Sequence, residues 1–243
     1  MKKTDIRSYI SVNTVILVIL FTLCAVGFML TGANSFVVCV FTAAIAFAIA
    51  VVLQTLRNMK EKPYTIVDRV GQVLAIAIVF CLMLSLPPHF SSSSQWRYPF
   101  QKGLIDCYHN IKEPDFFPDV KGKVQGDYHF DYLPTILQGT GHYSIRFTAD
   151  SETVKEYERQ FSAAAKHTYS IDGNNTGSNF FTADLVLPDN STGTVDVYID
   201  GSFFAGTDAK IYVLDSNYNW NHPHTSAVII DAAGGKVQFS QEG

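Results

Sequence analysis

Two acids and a histidine alternate with three aromatic residues in the segment 127–132, which reads Asp-Tyr-His-Phe-Asp-Tyr. Successive side chains of a β-strand point to opposite faces, so a strand here places Asp127, His129 and Asp131 on one face and the aromatic rings on the other. Two carboxylates and an imidazole on one face are groups that bind a divalent metal or transfer protons. A half-buried strand gives the same alternation through packing alone, and this interpretation is preferred because metal ligands usually converge from separate elements.

The segment 215–224 is a second candidate, because oxygen-bearing side chains alternate there as they do at the start of a calcium loop. The match fails where Trp220 occupies the position that an EF-hand loop gives to Gly. His222 and His224 are candidate metal ligands, and Tyr218 and Trp220 are candidate ligand contacts on an exposed loop. The Asn and Pro content favours an ordinary surface turn over a metal site.

A thiol and an imidazole lie close together at Cys107 and His109, but neighbours in sequence do not have the geometry of a nucleophile and its base. A Cys used as a small buried apolar residue is the preferred interpretation of Cys107. The sequence contains no nucleophile elbow, no His-Glu-x-x-His, no phosphate-binding loop and no dinucleotide fingerprint. No cofactor is indicated beyond the candidate divalent metal, and a non-catalytic role is favoured over an enzyme.

The elements that must position these residues are mostly strands. Alternating or β-branched and aromatic residues predict strands at 143–148, 180–187, 194–199, 210–214, 227–231 and 236–240. Turn residues separate most of them, and Ala-Ala-Gly-Gly at 232–235 predicts a hairpin between the last two. We expect an antiparallel-β-rich α+β domain.

One helix is predicted in this domain. Asp150 or Ser151 is the expected N-cap, and the helix should run to about Lys166. Val154, Tyr157 and Phe161 recur at helical spacing and predict one apolar face, with charged residues on the other side. Such a helix should lie on the sheet.

Three uncharged apolar runs precede this domain, at about 9–30, 36–56 and 70–86. At 1.5 Å per residue, about 20 apolar residues are enough to cross a bilayer. The sequence therefore predicts three N-terminal transmembrane helices in residues 1–88. The segment 89–97, which contains four consecutive serines, is predicted to be a tether, and 98–243 the α+β domain.

Charge gives the expected orientation. Residues 1–87 contain seven Lys or Arg and three acids, a net charge of +4, whereas 88–243 contain eleven and nineteen, a net charge of −8. Basic residues before the first run and between the second and third mark the cytoplasmic side. A multi-pass cell-membrane protein with a cytoplasmic N-terminus and an extracytoplasmic C-terminal domain is expected, while the acidic domain argues against nucleic acid as a partner.

Three functions are consistent with these observations. The preferred one is a membrane-anchored, non-catalytic domain for interaction or sensing in a bacterial cell envelope, with the lipid bilayer and another membrane protein or envelope component as partners. The first alternative is an envelope hydrolase or metal-dependent enzyme that uses Asp127, His129 and Asp131. The second alternative is an accessory subunit of a larger membrane complex.

Overall fold

The structure is a computed structural model that describes residues 12–33, 44, 45, 48, 73, 76, 77, 89–107, 114–134, 141–171, 180–186, 192–217 and 224–243 of the 243-residue chain. The chain divides into two compact units, Met1–Pro88 and His89–Gly243. The second unit contains every described strand and the candidate site.

Helix α1, Val12–Thr31, is the helix that the structure describes in the first unit. It ends at Gly32, whose φ of 69° is the left-handed conformation that glycine adopts without strain. The Gly32 N–H donates to Phe28 O at 2.7 Å, and the Thr31 hydroxyl donates to Gly27 O at 2.7 Å. The first of these bonds satisfies the Phe28 carbonyl, one of the last four of the helix, which otherwise lack helical partners.

Within the described ranges, no helix has both the length and the apolar character needed to cross a membrane. This finding contradicts the predicted three-helix transmembrane anchor, and the membrane-anchored fold class and the multi-pass location are corrected with it. An uncharged apolar run has the composition of a membrane span, but a span also requires one continuous apolar helix of about 20 residues. Most of the runs 36–56 and 70–86 lies outside the described residues.

The second unit is mostly antiparallel β-sheet. Seven strands form one sheet in the order β1-β2-β3-β9-β8-β7-β4, and β5 and β6 form a separate hairpin. The strands are β1 Phe90–Ser92, β2 Tyr128–Leu133, β3 His142–Thr148, β4 His167–Ile171, β5 Phe180–Val186, β6 Thr192–Tyr198, β7 Ala209–Asn217, β8 His224–Asp231 and β9 Lys236–Glu242. The six predicted strands are confirmed, with bounds that differ by at most three residues.

In the described part of this unit, the α-helices are α2 at Tyr98–Cys107 and α3 at Ser151–Ala164, and a short 3-10 helix, Gln95–Arg97, precedes α2. The predicted helix is confirmed as α3. Asp150 caps its N-terminus, because Oδ1 accepts hydrogen bonds from Glu152 N at 3.0 Å and from Thr153 N at 2.8 Å.

The side of the sheet covered by α3, here called the helix face, is aromatic. Phe239 on β9 is completely buried at its centre. The rings of Tyr157 and Phe161, from α3, lie edge-on to it with centroids 5.4 and 5.5 Å away. Phe147 stacks on it from β3 at 6.3 Å. Tight edge-to-face and stacked rings of this kind add to the free energy gained from apolar burial alone.

The opposite side of the sheet, here called the hairpin face, is apolar only where the β5–β6 hairpin covers it. The buried cluster there comes from β4, β6, β7, β8 and the turn after β6: Ile171, Val195, Val197, Ile199, Phe203, Phe204, Ala209, Ile211, Val213, Ala227 and Ile229. The remaining part of this face, on β2, β3 and β9, is polar.

The predicted hairpin between the last two strands is confirmed at residues 232–235. Gly235 has a φ of +68°, and a Cβ there would lie 2.9 Å from Ala149 O, so only glycine fits. Asp231 Oδ1 accepts a hydrogen bond from Gly234 N at 2.8 Å, which holds the turn closed.

The serine-rich segment predicted as a tether is instead part of the fold. Phe90 in β1 is completely buried, with ring centroids 6.3 Å from Phe130 and 5.9 Å from Tyr132. Ser92, two residues later on the same face, is also buried. The prediction relied on serine content, whereas one buried aromatic ring at the start of the segment is enough to bind it to the edge of the sheet.

Candidate functional site

Polar and aromatic side chains gather on the part of the hairpin face that is formed by β2, β3 and β9. They come from β2, β3, β9 and the end of β6, and we call this set the polar patch: His129, Asp131, His142, Arg146, Tyr198, Asp200 and Glu242. The set lies directly beside the hairpin, so the patch has sheet strands as its floor and β6 at its side.

Strand register explains why the floor residues meet. His129 lies opposite Arg146, and His142 lies opposite both Leu133 on one side and Glu242 on the other. On each strand these polar residues alternate with residues of the aromatic helix face. Because successive side chains of a strand point to opposite faces, the strands that bury aromatic rings on the helix face place their polar side chains on the hairpin face.

The hairpin is held against the floor by a buried glutamine. Gln238 on β9 is completely buried; its Oε1 accepts from Asp200 N at 2.9 Å and its Nε2 donates to Tyr198 O at 3.1 Å. The side chain amide thereby satisfies two backbone groups at the end of β6 that have no strand neighbour on this side. Val195 and Val197 point into the apolar cluster, which leaves Asp196 and Tyr198 on the side of β6 that faces the patch.

Asp131 and His142 form a close pair at the centre of the patch, with Asp131 Oδ2 bonded to His142 Nε2. Their side chains are only 16% and 14% exposed. Burial alone would raise the pKa of Asp131, but the hydrogen bond and charge of His142 outweigh it and the pKa lies below the usual value. The Tyr198 ring stacks on the imidazole at 4.1 Å with 16° between the planes, so the pair also contacts the hairpin.

His129 lies beside this pair and contacts two serines of the β1 segment. Ser91 Oγ is 3.2 Å from Nε2, and Ser93 Oγ is 3.1 Å from Nδ1. Burial lowers the pKa of His129, and the positive charge of Arg146 lowers it further. The imidazole is therefore neutral at pH 7, and a neutral imidazole can accept a hydrogen bond from one of the two hydroxyls.

Arg146 and Asp200 form the second charged pair, with Arg146 Nε 2.5 Å from Asp200 Oδ2. The guanidinium also lies over the Phe203 ring, 4.7 Å from its centroid. Burial on its own would raise the pKa of Asp200, but the hydrogen bond from Ser202 and the charge of Arg146 hold it below the usual value. The Asp200 carboxyl is thus ionised at neutral pH.

Glu242 differs from the other acids of the patch because no basic group within the described residues forms an ion pair with it. It is 6% exposed, and its Oε2 has no hydrogen-bond partner among them. Burial raises its pKa to about 7, and the negative charge of Asp196 contributes to the rise. Its carboxyl therefore changes charge near neutral pH.

The structure does not bring Asp127, His129 and Asp131 together in one site. His129 and Asp131 lie on the hairpin face, as expected for a strand, and belong to the patch. Asp127 precedes β2 and is exposed, and its carbonyl accepts a hydrogen bond from Thr148 N at 3.0 Å. The three side chains therefore do not form one site: Asp131 is paired with His142, and His129 with serines.

Most of the other candidates lie outside the described residues: Tyr218, Trp220, His222, His109 and the side chain of Cys107. His224 begins β8 opposite Asn217 and is exposed. Its ring packs against the last residue, since a Cβ on Gly243 would lie 1.8 Å from His224 Nδ1. In the described part of the chain, no group of three or more His, Cys, Asp or Glu side chains is placed to hold a metal ion.

Sequence analysis missed His142, Arg146, Tyr198, Asp200 and Glu242 as site residues. A signal existed for the first two, because His142 and Arg146 alternate with Tyr143, Ile145 and Phe147 in the manner of β2. No comparable signal existed for Glu242, since only the pairing of β9 with β3 brings it to the patch. The patch can hold a ligand by hydrogen bonds, charge and ring contacts.

Neither a protein family, nor a curated protein, nor a solved structure was found to match this chain.

Proposed function

We propose that the second unit is a non-catalytic binding or sensing domain whose polar patch holds a small polar ligand. The observation that supports this function is the convergence of polar side chains from β2, β3, β9 and the end of β6 beside the Tyr198 ring. Binding sites are commonly built in this way, with a few convergent polar groups that orient the ligand and aromatic rings that cover it.

The internal pairing of the patch favours binding over catalysis. Asp131 is committed to His142 and Arg146 to Asp200, so these groups hold each other in place. Partly buried, mutually bonded side chains form a rigid surface, and rigidity lowers the entropy lost when a ligand binds. A general acid or base would instead need a free position for the reacting group within hydrogen-bond reach.

A pair of matched phenylalanines provides the test. Phe180 lies beside the patch with its ring 5.7 Å from Tyr198 and is 48% exposed, while Phe100 on α2 is 46% exposed and packs on Trp96 instead. Ligands should first be found by ligand-observed NMR with the full chain and a panel of small polar molecules. Phe180→Ala should weaken their binding about tenfold, as loss of a stacked ring does, and Phe100→Ala should leave it unchanged.

Two results would refute this function. One is that no molecule of the panel binds, or that every binder is indifferent to Phe180→Ala. The other is that a bound molecule is converted to product by the wild-type chain during the NMR experiment. The second result would show that the chain is an enzyme, and the serines beside His129 would be the candidate nucleophiles.

A hydrolase is the second candidate function, and the contact between Ser91 Oγ and His129 Nε2 is the observation that favours it. A neutral imidazole at 3.2 Å is placed to accept the hydroxyl proton, as in serine nucleophiles. A fluorophosphonate probe tests this directly. Labelling that disappears in Ser91→Ala and persists in Ser93→Ala would support the hydrolase, and an unlabelled wild-type chain would exclude a serine nucleophile of this kind.

A further inference from the structure

Two buried polar atoms on β9 have no hydrogen-bond partner in the described part of the chain, Glu242 Oε2 and Ser240 Oγ. The residues are 6% and 1% exposed and, two positions apart, lie on the same face of the strand. A buried polar group without a partner costs free energy that a bound group can recover. This pair therefore marks a position where a ligand atom would be stabilised.

A third polar group, on β6 of the hairpin, interacts electrostatically with Glu242. Asp196 on β6 is close enough to Glu242 for its charge to disfavour ionisation of that carboxyl. Its Oδ1 accepts the Thr182 hydroxyl at 2.7 Å, and no ion pair to Asp196 occurs within the described ranges. Two carboxyls that repel each other electrostatically attract a positively charged group.

We propose that Glu242, Ser240 and Asp196 form a subsite for the primary ammonium group of a small organic ligand. This proposal rests on the proposed binding function and specifies its ligand class. An ammonium has three N–H donors and no acceptor, which matches a site where both carboxylates and the Ser240 hydroxyl oxygen can accept. Charge-assisted hydrogen bonds to carboxylates are also stronger than neutral ones.

The number of ligating groups favours an ammonium over a divalent metal. Calcium takes six to eight oxygen ligands and magnesium requires a near-octahedral set, whereas this cluster supplies two carboxyls and one hydroxyl. The aromatic neighbours also suit an organic cation. Tyr198 lies two residues after Asp196 on the same side of β6, and Phe180 lies opposite it on β5, so both rings can cover the carbon chain that carries the ammonium.

The test compares n-butylammonium with n-butanol by isothermal titration calorimetry on the full chain at pH 8. Butylammonium should bind, and the neutral alcohol should bind at least about tenfold more weakly because it lacks the charge. Glu242→Gln should weaken butylammonium about tenfold or more, since one charge-assisted hydrogen bond is lost. Glu156→Gln, an exposed acid on α3 at the other side of the sheet, should have no effect.

The titratable groups around Glu242 predict how binding changes with pH. His142 lies opposite Glu242 on β3, and Tyr198 of β6 stacks on His142. Asp196 of β6 acts on Glu242 through its charge, and His224 lies against the neighbouring Gly243. Ionisation of Glu242 near pH 7 adds a negative charge to the subsite while butylammonium keeps its positive charge. Affinity should therefore rise between pH 6 and pH 8 in the wild type, and this rise should be absent in Glu242→Gln.

Several outcomes would overturn the ammonium subsite. Equal binding of amine and alcohol would do so, as would equal binding by wild type and Glu242→Gln. Absence of amine binding at pH 8, where Glu242 is ionised, would overturn it as well. Ser240→Ala, which keeps both carboxyls, provides a second variant and should weaken the amine severalfold. A neutral ligand that is lost in Phe180→Ala but unaffected by Glu242→Gln would refute this subsite while leaving the proposed binding function intact.

Discussion

Single residues of the polar patch differ in how their charge responds to pH, and Glu242 gives the clearest case. Burial raises its pKa from 4.5 to about 7, with a further contribution from Asp196. Between these two values the folded chain keeps a proton that the unfolded chain releases. The contribution of Glu242 to stability is therefore fully present below about pH 4.5 and is lost as the pH rises through about 7.

The loss of stability with rising pH predicts the effect of Glu242→Gln, because glutamine mimics the protonated, uncharged glutamate. The variant should match the wild type in stability at about pH 5. At about pH 8 it should be more stable than the wild type by on the order of 2 kcal/mol, because no buried charge forms. Urea denaturation at both pH values measures the difference. Glu156→Gln is the control, and a variant that is less stable than wild type at pH 8 would contradict the prediction.

His129 has the opposite dependence at low pH. Its pKa is lowered, so the unfolded chain binds a proton before the folded chain does as the pH falls through about 6.5. Stability from this residue is present above that value and is lost below it. His129→Gln should therefore reduce the loss of stability between about pH 7 and pH 5, measured by thermal unfolding. His167→Gln, on β4 and remote in the strand order, is the control, and an identical pH profile in wild type and His129→Gln would contradict the assignment.

The two faces of β2 were predictable from the sequence, but the bonding partners of its side chains on other strands were not. The alternation at His129 and Asp131 correctly separated polar from aromatic side chains. It could not show that Asp131 bonds to His142, because hydrogen bonds between strands depend on register. The metal site was predicted from neighbours along one strand, whereas His129 and Asp131 contact side chains of the β1 segment and β3.

At the scale of elements, the β5–β6 hairpin forms one side of the patch and is fixed by few polar contacts. Gln238 makes two of them, to Tyr198 O and Asp200 N. Removing its amide leaves a backbone carbonyl and a backbone N–H without partners in a buried position, and each such group costs about 1–3 kcal/mol. The end of β6 should then detach from the seven-stranded sheet before that sheet itself unfolds.

We therefore expect Gln238→Ala to destabilise the chain by about 2–4 kcal/mol and to weaken any ligand of the patch. Gln241→Ala, on the same strand but on the opposite face and partly exposed, should cost less. Chemical denaturation measures the loss of stability, and amide exchange at Tyr198 and Asp200 tests whether the end of β6 detaches. Unchanged exchange at these amides in Gln238→Ala would show that the glutamine does not hold the hairpin.

Elements with a strong local signal were predictable. The Asp150 cap and the apolar spacing of Val154, Tyr157 and Phe161 located α3 before any contact was known. β1 was not predictable, because three residues that read Phe-Ser-Ser have little strand propensity of their own. It forms a strand because Phe90 is buried against β2, and tertiary contact of this kind cannot be read from the local sequence.

The order of the strands could not be predicted at the scale of the whole molecule. β3 pairs with β9, which lies almost ninety residues later in the chain, and β9 in turn pairs with β8, its neighbour in sequence. Turn residues predict pairs that are adjacent in sequence, such as β8 with β9. Distant pairs depend on the shape of the complete core, and this is why the patch, whose floor spans β2, β3 and β9, was not visible in the sequence.

Phe239 joins these distant parts and predicts how the second unit unfolds. Its ring contacts α3 through Tyr157 and Phe161, β3 through Phe147, and the segment before β2 through Phe116 and Phe117. Phe239→Ala should cost about 3–5 kcal/mol, since a completely buried ring is replaced by a cavity.

Because these contacts belong to one continuous core, the loss should appear throughout the second unit. Amide exchange should accelerate by similar factors in β2, β3 and β8, and the urea transition should stay single. The exposed Phe100 is the control, since Phe100→Ala should change stability by less than about 0.5 kcal/mol. Faster exchange confined to β9 and α3 would mean that the sheet is not one cooperative unit, and the floor of the polar patch would then open independently of the aromatic core.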